Sequence, residues 1–111
     1  MAYIKSLTFD CVDALVVARF WAAALGGELE EDSTSEKAFV EAPGWGGPNL
    51  WFQRVPEPRT AKLRLHFDLR APDGVAAEVE RLVALGATVY HDQGDLVAMR
   101  DPEGNEFCVE T

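Results

Sequence analysis

The feature that most constrains this chain is an approximate internal repeat with an offset of 60 residues. Asp13 begins a predicted helical stretch that runs 12 residues to a leucine, and Asp73 begins a second stretch of the same length. Further along, the segment 39–44 aligns with 99–104 at the same offset. Helix, spacing and late turn recur in one order, so we interpret the chain as two copies of one module.

Each copy has the pattern of a strand, a helix and three further strands. In module one, Asp13 is a suitable N-cap for the helix, and Gly26-Gly27 is a suitable end for it. Apolar periodicity and turn residues predict helices over 14–25 and 74–85, and strands near 3–12, 27–31, 37–42, 49–55, 63–71, 87–91, 95–100 and 105–110. The sequence therefore predicts an α+β fold, βαβββ twice, in one domain of residues 1–111. Its parts are module one at about 1–55, a linker at about 56–62 and module two at about 63–111.

Composition excludes several classes of partner. The chain has 10 Lys and Arg against 19 Asp and Glu, a net charge of −9. Nucleic acids and anionic membranes are bound through clustered basic residues, and the sequence has no such cluster. Its most apolar run, 14–25, is shorter than the ~20 residues of a membrane span. No signal-peptide pattern begins the sequence, and two cysteines do not make a disulfide framework, so we expect a reduced, cytoplasmic protein.

The first predicted helix has almost no polar face. Val16, Val17, Phe20 and Trp21 are accompanied by several alanines. Such a helix is either deeply buried in its own domain or in contact with a second subunit.

Three sequence features together resemble a known superfamily. They are the paired βαβββ pattern, a helix with Phe20-Trp21 that ends in Leu-Gly-Gly, and the turn 101–105 before a final strand. This combination resembles the vicinal oxygen chelate superfamily, which includes glyoxalase I, bleomycin-resistance proteins and extradiol dioxygenases. Segments 10–13, 65–69 and 101–108 are most similar to its small bacterial glyoxalase-like domains. The resemblance implies a curled mixed-sheet cup and a homodimer.

The resemblance also implies positions for a divalent metal. Metal enzymes of the superfamily place one ligand on the first strand and one on the last strand of each module. Those positions fall on Ser6 and His66, and on Gln53 and Cys108. His66 is a usual ligand and Gln53 is acceptable, whereas Ser6 is unusual and Cys108 replaces a carboxylate with a soft thiol. We therefore expect no complete metal site, with a divalent metal as the alternative.

Strand periodicity places His66, Asp68 and Arg70 on one face, which we expect to face the cup. Three roles for His66 remain open. It is a neutral imidazole bonded to Asp68, a general base oriented by Asp68, or a metal ligand. Asp10 is the repeat counterpart of Arg70, so the two are expected to form an ion pair or to give the cup a polar floor.

Two tryptophans are candidates for ligand contact. Trp51 shares its strand face with Gln53, which predicts an aromatic cup wall, the alternative being core filling. Trp45 lies in a Gly/Pro-rich loop and is either a lid or a loop anchor.

Three classes of function follow from these observations. The first is binding of a small organic molecule, cationic or aromatic because of the net charge and the aromatic wall. The second is an enzyme: a metal-dependent lyase, isomerase or dioxygenase using His66 with Gln53 and Cys108, or a metal-free acid–base enzyme using His66 with Asp68. The third is a protein-interaction module.

Overall fold

The computed structural model describes residues 1–42 and 46–111 and divides the chain into two compact units. The units are Met1–Arg59 and Thr60–Thr111. They correspond to the two predicted modules, and we call them module one and module two. The candidate lid residue Trp45 lies outside the described residues.

Module one is a four-stranded mixed sheet with one helix. Its elements are β1 (Ser6–Cys11), α1 (Ala14–Leu25), β2 (Glu28–Leu29), β3 (Lys37–Glu41) and β4 (Asn49–Arg54). The sheet order is β1-β4-β3-β2, with β1 parallel to β4 and the other pairs antiparallel.

Module two repeats this topology. Its elements are β5 (Phe67–Arg70), α2 (Val75–Ala84), β6 (Thr88–Asp92), β7 (Leu96–Arg100) and β8 (Glu106–Glu110). The order β5-β8-β7-β6 again has a parallel first pair followed by antiparallel pairs. The predicted α+β class and element order are therefore confirmed, although β1 and β5 begin three and four residues later than predicted.

Helix α1 has the predicted ends. The Asp13 carboxylate accepts hydrogen bonds from the backbone N–H groups of Leu15 (3.1 Å) and Val16 (3.2 Å). Gly26 ends the helix in the left-handed conformation, with φ 68°. Gly27 is glycine for a different reason, because a Cβ there would lie 2.5 Å from the backbone oxygen of Glu41.

Helix α2 begins differently from the prediction. Its N-cap is Gly74, with φ 109° and no capping side chain, so Asp73 does not repeat the role of Asp13. One apolar stripe of α2 buries Val75 and Leu82. On the exposed surface Arg81 Nη2 lies 2.7 Å from Glu78 Oε2, an i,i+3 ion pair.

The helix-covered face of each sheet forms a core. In module one the largest buried side chains are Val17, Trp21, Val40, Leu50 and Phe52, and in module two they are Leu82, Met99, Phe107 and Val109. Deep burial of α1 is thus confirmed, except along an exposed stripe that includes Val16 and Arg19. The homodimer stays a prediction. Among the described residues, neither helix is long and apolar enough to cross a membrane.

The sheet register corrects the predicted alignment of the repeat. Leu29 pairs with Val40 in module one, and Val89 pairs with Met99 in module two. Val40 and Met99 are therefore counterparts, at an offset of 59 residues. The offset of 60 would instead have matched Met99, which is fully buried, with Phe39, which faces the other side of its sheet. A slip of one residue exchanges the two faces of a strand.

The turn that precedes β8 is organised by a buried aspartate. Asp101, 3% exposed, accepts hydrogen bonds from the backbone N–H groups of Glu103 (2.9 Å) and Asn105 (3.0 Å). Its second carboxylate oxygen accepts from Asn105 Nδ2 at 2.9 Å. The segment 101–105 that contributed to the family resemblance is therefore a structural turn.

Gly27→Ala is expected to destabilise the protein more than Gly26→Ala. The added methyl group at 27 meets backbone that cannot move without displacing β3, at a cost of about 1–3 kcal/mol. At 26 only left-handed strain of about 1 kcal/mol arises, because nothing lies within 4 Å. Urea unfolding measures both, with Gly26→Asn as a control that tolerates the backbone. A loss below about 0.5 kcal/mol for Gly27→Ala would contradict the close approach.

Asp101→Ala is expected to lower the free energy of unfolding by about 2–4 kcal/mol, because it leaves buried N–H donors without an acceptor. Asp92 provides the matched control. Its carboxylate accepts one bond, from Gly94 N at 2.7 Å, but is exposed, so water replaces it in Asp92→Ala. Equal losses in the two variants, measured by urea unfolding, would show that burial of the turn does not matter.

Candidate functional site

The face of the module-one sheet opposite α1 carries a cavity of about 500 Å³. This volume is within the range of small-molecule sites. We call it the acidic pocket. It is lined by Glu30, Asp32, Ser33, Thr34, Glu36, Lys37, Ala38, Phe39 and Trp51. All of these residues belong to module one.

An aromatic pair forms one wall of the acidic pocket. Phe39 in β3 and Trp51 in β4 are direct cross-strand partners, with ring centroids 4.7 Å apart and planes inclined by 52°. Leu50 and Phe52 on either side are buried under α1, so strand alternation turns Trp51 to the opposite face. Trp51 is 42% exposed, which leaves much of its surface for contact with a ligand. Its prediction as core filler is therefore wrong.

The acidic loop between β2 and β3 (30–36) forms another wall and is held by backbone hydrogen bonds. Thr34 N donates to Lys37 O (2.7 Å), and Arg54 N donates to Glu36 O (2.9 Å). Thr34 Oγ1 accepts from the N–H groups of Glu36 (3.2 Å) and Lys37 (3.3 Å). Ser33 Oγ accepts from Phe39 N at 3.2 Å. These bonds hold the loop against the edge of the sheet.

Negative charge dominates the acidic pocket, which has three carboxylates and one ammonium group in its lining. Glu36 Oε1 lies 3.5 Å from Arg54 Nη1, but both side chains are largely exposed, so this ion pair is weak. Within the described part of module one, Glu30 and Asp32 have no ion-pair partner. The site therefore favours a cation.

Sequence reasoning anticipated Trp51 but missed the rest of the acidic pocket. The acidic run at 30–32 and the alternation that places Phe39 between two buried residues were both visible in the sequence. What was not visible is the hydrogen-bonded path that brings the loop beside Trp51, since a 30–36 loop has many accessible conformations.

The other predicted module-one residues lie on the same face of the sheet but outside the pocket lining. Gln53 Nε2 donates to Asp10 Oδ1 at 2.8 Å across the β1–β4 pair. Asp10 therefore has a partner within its own module, and its ion pair with Arg70 stays a prediction. Ser6 lies opposite Asn49, four residues before the level of Gln53, so roughly 13 Å of strand separates these two predicted metal positions.

Module two brings three of the predicted residues together. His66 Nε2 lies 3.3 Å from Asp68 Oδ1, so the predicted contact between them is present. Asp68 pairs with Cys108 across β5 and β8. A nitrogen of His66, an oxygen of Asp68 and the sulfur of Cys108 all lie within 4.8 Å of one another. We call this group the thiol cluster.

The surroundings of Cys108 favour the neutral thiol. Burial raises the pKa of Cys108, and the negative charges of Asp68 and Glu110 raise it further, against a smaller opposing effect of Lys62. Cys108 alone is therefore a poor nucleophile at neutral pH.

The strand register shows which module-one residues correspond to the thiol cluster. Thr8 pairs with Trp51 as Asp68 pairs with Cys108, and Thr8 and Asp68 are 60 residues apart. The counterpart of Cys108 is thus Trp51, and its predicted match with Gln53 is wrong. The segment before β4 is two residues longer than the one before β8, which shifts the offset to 57.

This donor set does not fit a hard divalent metal held by four ligands from both modules. At the two module-one positions stand Ser6, whose hydroxyl is a poor ligand, and Trp51, which has no donor atom for a metal. In module two a thiol stands where the resemblance implies a carboxylate. We therefore assign no chemical step to such a metal.

Asp68→Asn is expected to speed alkylation of Cys108 several-fold at pH 8. Removing the carboxylate lowers the thiol pKa, which increases the thiolate fraction and moves the pH–rate profile to lower pH. Iodoacetamide labelling followed by peptide mass spectrometry distinguishes Cys108 from buried Cys11. Asp92→Asn makes the same change of charge in β6 and should leave the rate unchanged. Slower labelling of Asp68→Asn would contradict the assigned charge effect.

Comparison with solved structures confirms the fold. A glyoxalase/bleomycin resistance protein/dioxygenase family enzyme from Burkholderia phytofirmans PsJN is 18% identical, with a TM-score of 0.73 and 97% of each chain covered. The fosfomycin resistance protein FosX from Mesorhizobium loti is 17% identical, with a TM-score of 0.75, over 100% of this chain and 92% of that one. FosX from Listeria monocytogenes, solved with Mn(II) and 1S,2S-dihydroxypropylphosphonic acid, is 16% identical, with a TM-score of 0.73, over 99% and 90% of the chains.

At the level of sequence, no curated protein matches this chain. The model of the family described as "Glyoxalase-like domain" matches residues 6–110, nearly the whole chain. Together with two βαβββ modules of the same topology, this match shows that the chain belongs to the glyoxalase-like domain family of the vicinal oxygen chelate superfamily.

Proposed function

We propose that this protein binds a small cationic organic molecule with an aromatic or flat apolar part in the acidic pocket. The observation that carries the proposal is the combination, in one cavity of about 500 Å³, of the Phe39–Trp51 pair with three carboxylates. An exposed tryptophan face attracts a cation by about 0.5–2 kcal/mol, in addition to the burial of apolar ligand surface.

The charge of the acidic pocket argues for a cation rather than an anion. A phosphonic acid of the kind bound by the Listeria protein is anionic at neutral pH, and Glu30, Asp32 and Glu36 would repel it. The net charge of −9 acts in the same direction at longer range, because it steers cations toward the surface.

A metal-free acid–base enzyme is the second candidate, and the His66–Asp68 contact supports it. An imidazole oriented by a carboxylate is a suitable general base. Both side chains are about half exposed (46% and 57%), so a substrate can reach them from solvent. The metal-dependent alternative through Gln53 has less support, because Gln53 donates to Asp10 and does not correspond to Cys108.

Calorimetric titration with three probes of similar shape tests the binding proposal: the N-methylquinolinium cation, neutral 1-methylnaphthalene and the 1-naphthoate anion. We expect the cation to bind with the lowest Kd. Trp51→Ala should weaken its binding about tenfold, because the cation–π contact and apolar area are lost. Trp51→Phe should retain part of the affinity.

The contribution of the carboxylates requires a control of equal charge. The triple variant Glu30→Gln, Asp32→Asn, Glu36→Gln should raise the Kd for the cation about tenfold or more, from roughly 0.3–1 kcal/mol per exposed charge. The control Glu57→Gln, Glu80→Gln, Asp95→Asn changes the net charge equally but no residue of the pocket lining. Equal effects of the two triple variants, or tighter binding of the anion, would reject the proposed site.

A further inference from the structure

We propose that the thiol cluster of module two binds one thiophilic divalent cation such as Zn²⁺, through His66, Asp68 and Cys108. This site lies within one module and uses no residue of the acidic pocket. It therefore stands or falls independently of the proposed small-molecule binding.

The positions of the three donors suit a small cation. Four ligands around Zn²⁺ at 2.0–2.3 Å are separated from one another by roughly 3.3–3.7 Å. His66 Nε2 and Asp68 Oδ1 are already 3.3 Å apart, and all three donor atoms lie within 4.8 Å. Rotation of the Cys108 side chain alone can close most of the remaining difference. Water would complete a four-coordinate site.

The backbone holds two of the donors in fixed positions. Asp68 and Cys108 are register partners on adjacent parallel strands, and their side chains point to the same face. Phe107 and Val109, which flank Cys108, are buried on the opposite face and so prevent the strand from turning. His66 directly precedes β5 and reaches the same face by strand alternation.

The donor chemistry determines the class of metal. An imidazole, a thiolate and one carboxylate prefer Zn²⁺, Co²⁺ and Cd²⁺, whereas Mg²⁺ and Mn²⁺ prefer oxygen ligands. The carboxylate of Glu110 also acts electrostatically on Cys108, with Lys62 as the opposing positive charge. The surrounding charge is therefore negative and favours a cation. The replacement of a carboxylate by Cys108 thus changes which metal the second module would hold.

Cobalt spectroscopy on the full chain tests this site without any assay of activity. After removal of metals with EDTA, titration with Co²⁺ should give one ion per chain and a sulfur-to-cobalt charge-transfer band. Cys108→Ser should abolish the band and Cys11→Ala should retain it. His66→Ala should weaken Co²⁺ binding by more than about tenfold, and His91→Ala, which removes an exposed histidine of β6, should not. Circular dichroism checks the fold of each variant.

A second measurement does not depend on a variant that folds. Zn²⁺ should protect Cys108 of the unmodified chain from iodoacetamide, and equimolar Mn²⁺ should not. The proposal is overturned if no charge-transfer band forms, if the band survives in Cys108→Ser, if one ion binds per two chains, or if Zn²⁺ leaves the labelling rate unchanged.

Discussion

The last strand of each module lies between two neighbours, and its alternation of buried and exposed side chains determines both candidate sites. In β4, Leu50 and Phe52 are fully buried, so Trp51 must face the other side. In β8, Phe107 and Val109 have the same effect on Cys108. Because these strands are paired on both edges, a slip of one residue would break two sets of hydrogen bonds and expose the core residues. The hydrophobic packing of each module therefore fixes the direction of the side chain on which its chemistry depends.

The two modules use one position for different chemistry. Trp51 and Cys108 occupy equivalent places in the register, each beside the first strand of its module. In module one the neighbours of Trp51 are Phe39 and the acidic loop, and the result is a cavity with an aromatic wall. In module two the neighbours of Cys108 are Asp68 and His66, and the result is a group of three possible metal donors of mixed chemistry. A duplicated scaffold has thus diverged at matched sites without a change of topology.

Much of the fold could be predicted because its signals are local. Asp13 and Gly26 mark the ends of α1 through hydrogen bonds and dihedral angles that involve only nearby residues. The weaker predictions are those that depend on register. The offset of 60 holds for β1 and β5, but it becomes 59 at β3 and β7 and 57 at β4 and β8, since loop lengths differ. For this reason sequence comparison of the modules matched Cys108 with Gln53, whereas strand pairing matches it with Trp51.

By itself the sequence determined the α+β class, the order of ten elements, the charge, and the residue types available for chemistry, because periodicity, capping and composition act over a few residues. Only the tertiary structure decided that the loop at 30–36 lies against Trp51 and that Cys108 lies beside Asp68. Those juxtapositions depend on hydrogen bonds between strands that are up to 42 residues apart along the chain, such as β1 with β4. No local signal encodes such pairings, since they are set by which arrangement buries both helices against their sheets.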